Sequence, residues 1–351
     1  MNSSEIRLAV VGFGEIARQH IKVFRSLGAS VVAAVSRSSQ SRRKAEQVGG
    51  IERTYADPLT MVESERPDGI LVATSVLSQF EVIHKLTFCD VPLLVEKPPA
   101  VSFGDWMVLC DQIKARSLPI MVGLNRRYYS VYQRALERMG GIEAVTSVSV
   151  EWSEDPERML AVGHPPGILP VLNFANSIHG MDLLVFFAGI LQNAEVWGRN
   201  LDPSGQRFRW QMGFHGVTDR GVRAGFESNW DVPGHWRLVV DAADVRMVSA
   251  PLETAVLFAR DCAPEIVEPS AEDQRFKPGF YGQASAFLEL IRDHKLPTWP
   301  AASLEEASAS MQLAEMLTRA CQMSLGAEPA LRMTFSSLCQ RRNPASAIKN
   351  R

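Results

Sequence analysis

The chain has 351 residues, a length that accommodates about two domains. With 46% hydrophobic and 22% charged residues it has the make-up of a globular protein, which excludes a disordered or fibrous one. A formal net charge of -2 gives no reason to expect a nucleic-acid or membrane partner.

From the N-terminus, residues 8–11 read as a buried strand and 16–27 as a helix. Between them lies Gly12-Phe13-Gly14-Glu15-Ile16-Ala17. In this G-x-G-x-x-A the first glycine permits a tight turn and the second lets the backbone approach a pyrophosphate. The small Ala17 lets helix and strand sit close together. The helix start adds unpaired N–H groups and partial positive charge. Gly12, Phe13, Gly14, Glu15 and Ile16 are therefore expected to hold a dinucleotide. Strands follow at 31–35, 69–73, 92–95 and 119–122, alternating with helical stretches at 43–48, 80–88 and 101–115. That alternation predicts a parallel, doubly wound sheet, whose ligands sit at the carboxyl ends of the strands.

Past Gly123 the pattern changes. A helix is expected over 128–139, a strand over 144–152 and a helix over 173–188. Period-two runs then follow at 194–199, 207–215, 220–229, 236–242, 244–249 and 253–259, with no helix between them. They predict an open, mainly antiparallel sheet. Helices close the series at 281–293 and 304–323. The fold class expected is α/β: a Rossmann domain over 1–122, an α+β domain with the large open sheet over 123–335, and a basic, polar tail over 336–351. Cys89, Cys110, Cys262, Cys321 and Cys339 are scattered, with no C-x-x-C. They predict reduced thiols, no metal site and a cytoplasmic location. The first strand begins almost at Met1, so no signal peptide is expected, and the longest apolar runs fall short of the ~20 residues that span a bilayer.

A dinucleotide fold normally carries an acid about 20 residues past the glycines, for the ribose hydroxyls. No Asp or Glu occurs over 16–45. The second strand ends instead in Ser36-Arg37-Ser38, with Arg42, Arg43 and Lys44 beyond. Hydroxyls and a guanidinium suit a 2′-phosphate that a carboxylate would repel. NADP(H) is therefore expected over NAD(H), with Ser36 and Arg37 as the discriminating pair; a solvated helix start rich in basic residues is the plainer reading. Ala73, Thr74 and Ser75 close the third strand and are expected over a ribose. Glu96-Lys97-Pro98-Pro99 closes the next. Proline restrains the residue before it, so Lys97 is directed either into the cleft for proton transfer or onto Glu96 as a structural partner.

The glycine loop, Glu96-Lys97-Pro98, Gly123-Leu124-Asn125-Arg126-Arg127 and His179-Gly180-Met181-Asp182 together resemble the Gfo/Idh/MocA oxidoreductases, the family of glucose–fructose oxidoreductase and inositol dehydrogenase. The resemblance is close over the nucleotide domain and looser beyond it. It implies a Rossmann domain followed by an α/β domain whose open sheet often mediates oligomerisation, hence a homodimer or homotetramer. It also implies alcohol–ketone interconversion on sugars, cyclitols or nucleotide-linked sugars. By the same resemblance Lys97 and His179 are the catalytic pair, Asn125 and Arg126 line the nicotinamide end, and Ser-Arg after the second strand is the NADP pattern. Three departures stand out, one of them Asn176 three residues before His179. Ala175 occupies a position where many members have Asp, and Thr74-Ser75-Val76-Leu77-Ser78-Gln79 replaces T-P-N-x-x-H.

Positions i and i+3 share a helix face, so Asn176 is expected beside His179 as a neutral donor–acceptor that orients a substrate hydroxyl. It reads equally as a cap or turn residue. His179 has the plainer reading of a buried histidine on an apolar helix face, and Asp182 that of a structural partner, though both are kept with the site. His164 lies in a rigid H-P-P-G loop that either rims the substrate pocket or simply turns. Trp210, Trp230 and Trp236 suggest packing before sugar stacking. The expected function is an NADP(H)-dependent oxidoreductase of a sugar-like substrate. The alternative is a non-catalytic sensor or accessory subunit that binds cofactor or a nucleotide sugar.

Overall fold

The computed structural model describes residues 5–202, 204, 206–295, 298–324 and 331–334. The tail expected at 336–351, with Cys339, lies outside them. The chain divides into two compact units, Met1–Tyr132 with Pro269–Ser308, and Gln133–Glu268 with Ala309–Arg351. A single cut at 122/123 does not anticipate the return of residues 269–308 to the first unit. The sequence shows a helix there, but not the element it packs on.

In the first unit β1 (Arg7–Val11), β2 (Ser30–Val35), β3 (Arg53–Tyr55), β4 (Gly69–Val72), β5 (Leu93–Glu96) and β6 (Ile120–Gly123) form one parallel sheet, ordered β3-β2-β1-β4-β5-β6. The intervening helices are α1 (Glu15–Ser26), α2 (Ser39–Gln47), α3 (Pro58–Glu65), α4 (Gln79–Leu86) and α5 (Phe103–Arg116). The central strands β4 and β5 are buried along their length and apolar except for Glu96 at the end of β5, as suits strands covered on both faces. β3 and α3 are additions to the expected elements. β3 is three half-exposed residues with no apolar run to mark it. The start of α3 is set locally: the Asp57 side chain accepts from the Leu59 and Thr60 N–H groups, both at 2.9 Å, and Pro58 fits the first turn. The later helix Phe280–Asp293 buries Ala284, Phe287 and Ile291 in the same core as Ile21 and Phe24 of α1. Each large apolar side chain so buried contributes roughly 1.5–3 kcal/mol.

Helices α6 (Ser130–Arg138) and α7 (Pro156–Ala161) follow, the second not expected from the sequence. Among the described residues the second unit is built on nine strands, β7 (Val145–Trp152), β8 (Leu191–Asn200), β9 (Trp210–Thr218), β10 (Arg223–Asn229), β11 (Trp236–Ala242), β12 (Val245–Ser249), β13 (Ala255–Ala259), β14 (Glu265–Val267) and β15 (Leu331–Thr334). Their order is β14-β13-β12-β11-β7-β10-β9-β8-β15, antiparallel except for β7 with β10. Alternation places Val148, Val150 and Trp152 of β7 on the buried face. The helix α8 (Ile178–Ala188) covers that face and is buried along its whole length. Gly180 permits the approach, because a Cβ there would lie 2.5 Å from the Trp152 ring. The helix expected over 173–188 is corrected at its start: Asn173–Ser177 is a π-helical turn and α geometry begins at Ile178. Such turns recur at functional positions. The remaining helices are α9 (Ala271–Arg275), α10, which is Phe280–Asp293, and α11 (Leu304–Met323). Among the described residues no helix is long and apolar enough to cross a membrane.

Candidate functional site

Of the residues expected to hold the cofactor, all but Glu96 and Lys97 line one cleft of the first unit. Gly12, Phe13, Gly14, Glu15, Ile16, Ser36, Arg37, Ala73, Thr74 and Ser75 all line one cleft of about 830 Å³ at the carboxyl ends of β1, β2 and β4. Gly12 has φ +97°, and a Cβ there would lie 2.2 Å from the Ala73 carbonyl oxygen, so only glycine fits this turn. Gly14 differs, since a Cβ on it meets nothing within 4 Å. It caps α1 with no side-chain hydrogen bond, which leaves the orphan N–H groups of the first turn for an outside acceptor. The side-chain-free wall and the uncapped helix start fit a dinucleotide pyrophosphate. Glu15 is turned to its own helix, where it pairs with Arg18 and accepts from Gln19 Nε2 at 2.7 Å.

Arg42 donates to the Ser36 and Arg37 carbonyls at 2.7 and 3.0 Å. It thereby shapes the turn that presents Ser36 and Arg37 to the cleft. Ser38 caps α2, its hydroxyl accepting from the Ser41 N–H at 3.4 Å. Ser41 and Lys85 also line the cleft and were not singled out in the sequence. Asp57 lies there too, but its carboxylate is committed to the start of α3. The Thr60 N–H holds it below the ordinary carboxylate range, against the opposing effect of burial, with help from the Thr60 hydroxyl, the Leu59 N–H and the charge of Lys85.

Glu96 and Lys97 stand at the end of β5, in a turn tied down by residues the sequence reading missed. The fully buried His20 of α1 puts Nε2 2.7 Å from Glu96 Oε1 and stacks on Phe280 with ring centroids 4.2 Å apart. Burial pushes the Glu96 carboxyl up. The hydrogen bond and charge of His20, with the charges of Lys97 and Lys277, outweigh that push and hold it below the ordinary range. Gln79, also buried, donates through Nε2 to the Glu96 carbonyl and to the Pro98 carbonyl, the latter at 3.2 Å. The Lys97 N–H donates to Glu96 Oε2 at 3.2 Å. The backbone on both sides of Lys97 is thus fixed from three directions. Asn125 and Arg126, both buried, follow β6 in a 3₁₀ turn. Asn125 donates to the Pro278 carbonyl at 2.9 Å, and the next residue, Arg127, pairs with Glu306 at 3.2 Å.

The other candidates lie in the second unit. His179 is buried in the first turn of α8. Asp182 is buried and accepts from the Ser310 hydroxyl at 3.2 Å. His164 is exposed, with its N–H on the Met159 carbonyl at 3.1 Å. Asn176 belongs to the π-helical turn, and its Nδ2 donates to both oxygens of Glu154, at 3.0 and 2.9 Å. Glu154 is a second residue the sequence reading passed over. It follows an alternating strand, where an acid ordinarily reads as a solvated turn, yet it is only 3% exposed.

Residues 6–124 match the family described as the oxidoreductase family, NAD-binding Rossmann fold, GFO_IDH_MocA. Over that stretch the chain is similar to the Gfo/Idh/MocA oxidoreductases. Similar proteins include D-apiose dehydrogenase of Paraburkholderia graminis, 29% identical over 126 residues, which are 36% of this chain and 34% of that protein. The scyllo-inositol 2-dehydrogenase (NAD(+)) of Bacillus subtilis is 28% identical over 140 residues, 38% of this chain and 40% of that one. The matched stretch thus spans about a third to two fifths of these relatives. Likeness of fold reaches further. An oxidoreductase from Agrobacterium radiobacter, crystallised with NAD+, L-tartaric acid and magnesium, superposes with a TM-score of 0.74 over 93% of this chain and 98% of its own, at 15% identity.

Proposed function

We propose that the protein is an NADP(H)-dependent oxidoreductase acting between a hydroxyl and a keto carbon of a sugar, cyclitol or nucleotide-linked sugar. The observation that carries this is the single cleft that gathers the glycine loop, the Ser36–Arg37 turn and the end of β4. The family of residues 6–124 and the sugar and inositol dehydrogenases among the relatives support the substrate class. When bound, the nicotinamide supplies or accepts the hydride. The chain does the rest. The first-turn N–H groups of α1 and the bare Gly14 wall hold the pyrophosphate. Ser36 and the planar fork of Arg37 hold the 2′-phosphate. Ala73, Thr74 and Ser75 bound the ribose, and Glu96 fixes the turn that carries Lys97.

Lys97 Nζ and the His179 imidazole give and take the proton of the reacting hydroxyl, and in the reducing direction a cationic side chain stabilises the developing alkoxide. Asn125 and Arg126 line the nicotinamide end, while Asn176, His164 and Asp182 serve the substrate. We further infer a cytoplasmic protein that associates as a homodimer or homotetramer through the open sheet.

The test is a titration of tryptophan fluorescence with NADPH and NADH, joined to nicotinamide absorbance with a panel of keto sugars and keto cyclitols. NADPH is expected to bind more tightly. Lys97→Ala is expected to bind NADPH still, while turnover falls by roughly 10²–10⁴-fold. Turnover near that of the wild type removes Lys97 from the chemistry. Tighter NADH binding overturns the cofactor assignment.

A further inference from the structure

The second unit holds a cavity of about 730 Å³ whose lining comes entirely from that unit. This is within the range that takes small ligands. On its wall Glu154 is held in one orientation. Its Oε1 accepts from Trp152 Nε1 at 2.9 Å and from the Ser177 hydroxyl at 2.9 Å, and Asn176 Nδ2 bridges both its oxygens. The lining also includes the Trp236 ring, itself stacked on Trp152 at 4.7 Å, and the apolar side chains of Met159 and Leu252. Two further carboxylates, Asp155 and Glu253, line the cavity against Arg158 and His235. An acid-rich wall of this kind disfavours an anionic ligand.

We propose that Glu154, steadied by Asn176, recognises the hydroxyl groups of a neutral polyol ring in this cavity, the ring's C–H face lying on Trp236. A carboxylate accepts hydroxyl protons in charge-assisted hydrogen bonds, and an aromatic face suits the apolar side of a sugar or cyclitol. Ala175 brings no acid to the π-helical turn; β7, through Glu154 just beyond its end, brings the one that meets Asn176. Glu154 thereby sets specificity toward uncharged rings and against sugar acids and sugar phosphates. The inference rests on the reading of the protein as a sugar or cyclitol oxidoreductase, but its test needs no cofactor.

Saturation-transfer NMR on the full chain, without nucleotide, measures binding of myo-inositol, D-xylose, D-gluconate and D-glucose 6-phosphate. The neutral rings are expected to bind and the two anions to bind more weakly or not at all. Glu154→Gln is expected to weaken the neutral rings roughly tenfold or more, with NADPH affinity close to that of the wild type, and Glu154→Asp to recover part of the loss. In turnover the Gln change appears mainly in KM. Glu253 is exposed, so Glu253→Lys tests the charge argument even where a Glu154 variant does not fold: gluconate affinity is expected to rise. The proposal is overturned if neither neutral ring binds, if the anions bind better, or if Glu154→Gln leaves affinity unchanged. Failure of NADPH to bind instead counts against the oxidoreductase reading alone.

Discussion

His20 and Glu96 meet at 2.7 Å, with the His20 side chain wholly out of water and that of Glu96 nearly so. Removing one partner of a buried hydrogen bond leaves the other unsatisfied, a loss of about 1–3 kcal/mol. His20→Gln is therefore expected to lower stability by an amount in that range at neutral pH, measured by urea unfolding. The pH dependence follows from the depressed pKa of Glu96. The unfolded state takes up its proton first, at about pH 4.3. The stabilisation is complete above that value and is lost as pH falls through the lower, folded value. The gap between wild type and His20→Gln is expected to narrow on acidification; a gap that widens below pH ~4 contradicts the pairing. Lys97 was legible because two prolines follow it. His20 was not, because one polar residue on the apolar face of α1, among Ala17, Ile21 and Phe24, reads as an exception until its partner on a distant strand is known. Glu154 was hidden in the same way, since its donors Asn176 and Ser177 lie more than 20 residues away along the chain.

The glycine loop separates two kinds of constraint within one turn. At Gly12 the backbone is left-handed and the Ala73 carbonyl fills the space where a side chain would begin. At Gly14 φ is -83° and that space is open. Gly12→Ala is expected to destabilise the first unit by more than the roughly 1–3 kcal/mol of a strained residue, because β4 must also move. Gly14→Ala is expected to melt within a few degrees of the wild type, since its methyl group meets nothing within 4 Å, while losing nucleotide affinity if the cleft holds the proposed pyrophosphate. Calorimetry and fluorescence titration separate the two; equal melting losses would remove the distinction. The inner strands of both sheets were readable at this scale because strand signals are local: continuous apolar runs for the parallel sheet, alternation for the open one; the short edge strands β3, β14 and β15 were not expected. The π-helical turn was not readable. Over 173–177 the apolar pattern is compatible with an ordinary helix, and the extra width of the turn comes from packing.

The first unit is assembled from two stretches of chain separated by most of the second. Helix α10 places Phe287 against Phe24 of α1 with ring centroids 6.2 Å apart, and its Phe280 stacks on His20. A polypeptide of residues 1–132 lacks this helix and exposes the apolar surface it covers. Such a fragment is expected to bind a hydrophobic dye and to lack a cooperative melting transition. A sharp transition in the fragment would show that α10 is dispensable. The two halves of this unit were visible in the sequence as elements, but their union was not, because nothing local in residues 280–293 names α1 as the partner.

The same arrangement bears on how the protein is made. A ribosome releases the glycine loop early, yet the helix that closes the core beneath it emerges only after the whole intervening region has been synthesised. Throughout that interval the nascent coenzyme domain carries an uncovered greasy flank, so trigger-type chaperones are expected to attend the growing polypeptide until its last quarter arrives.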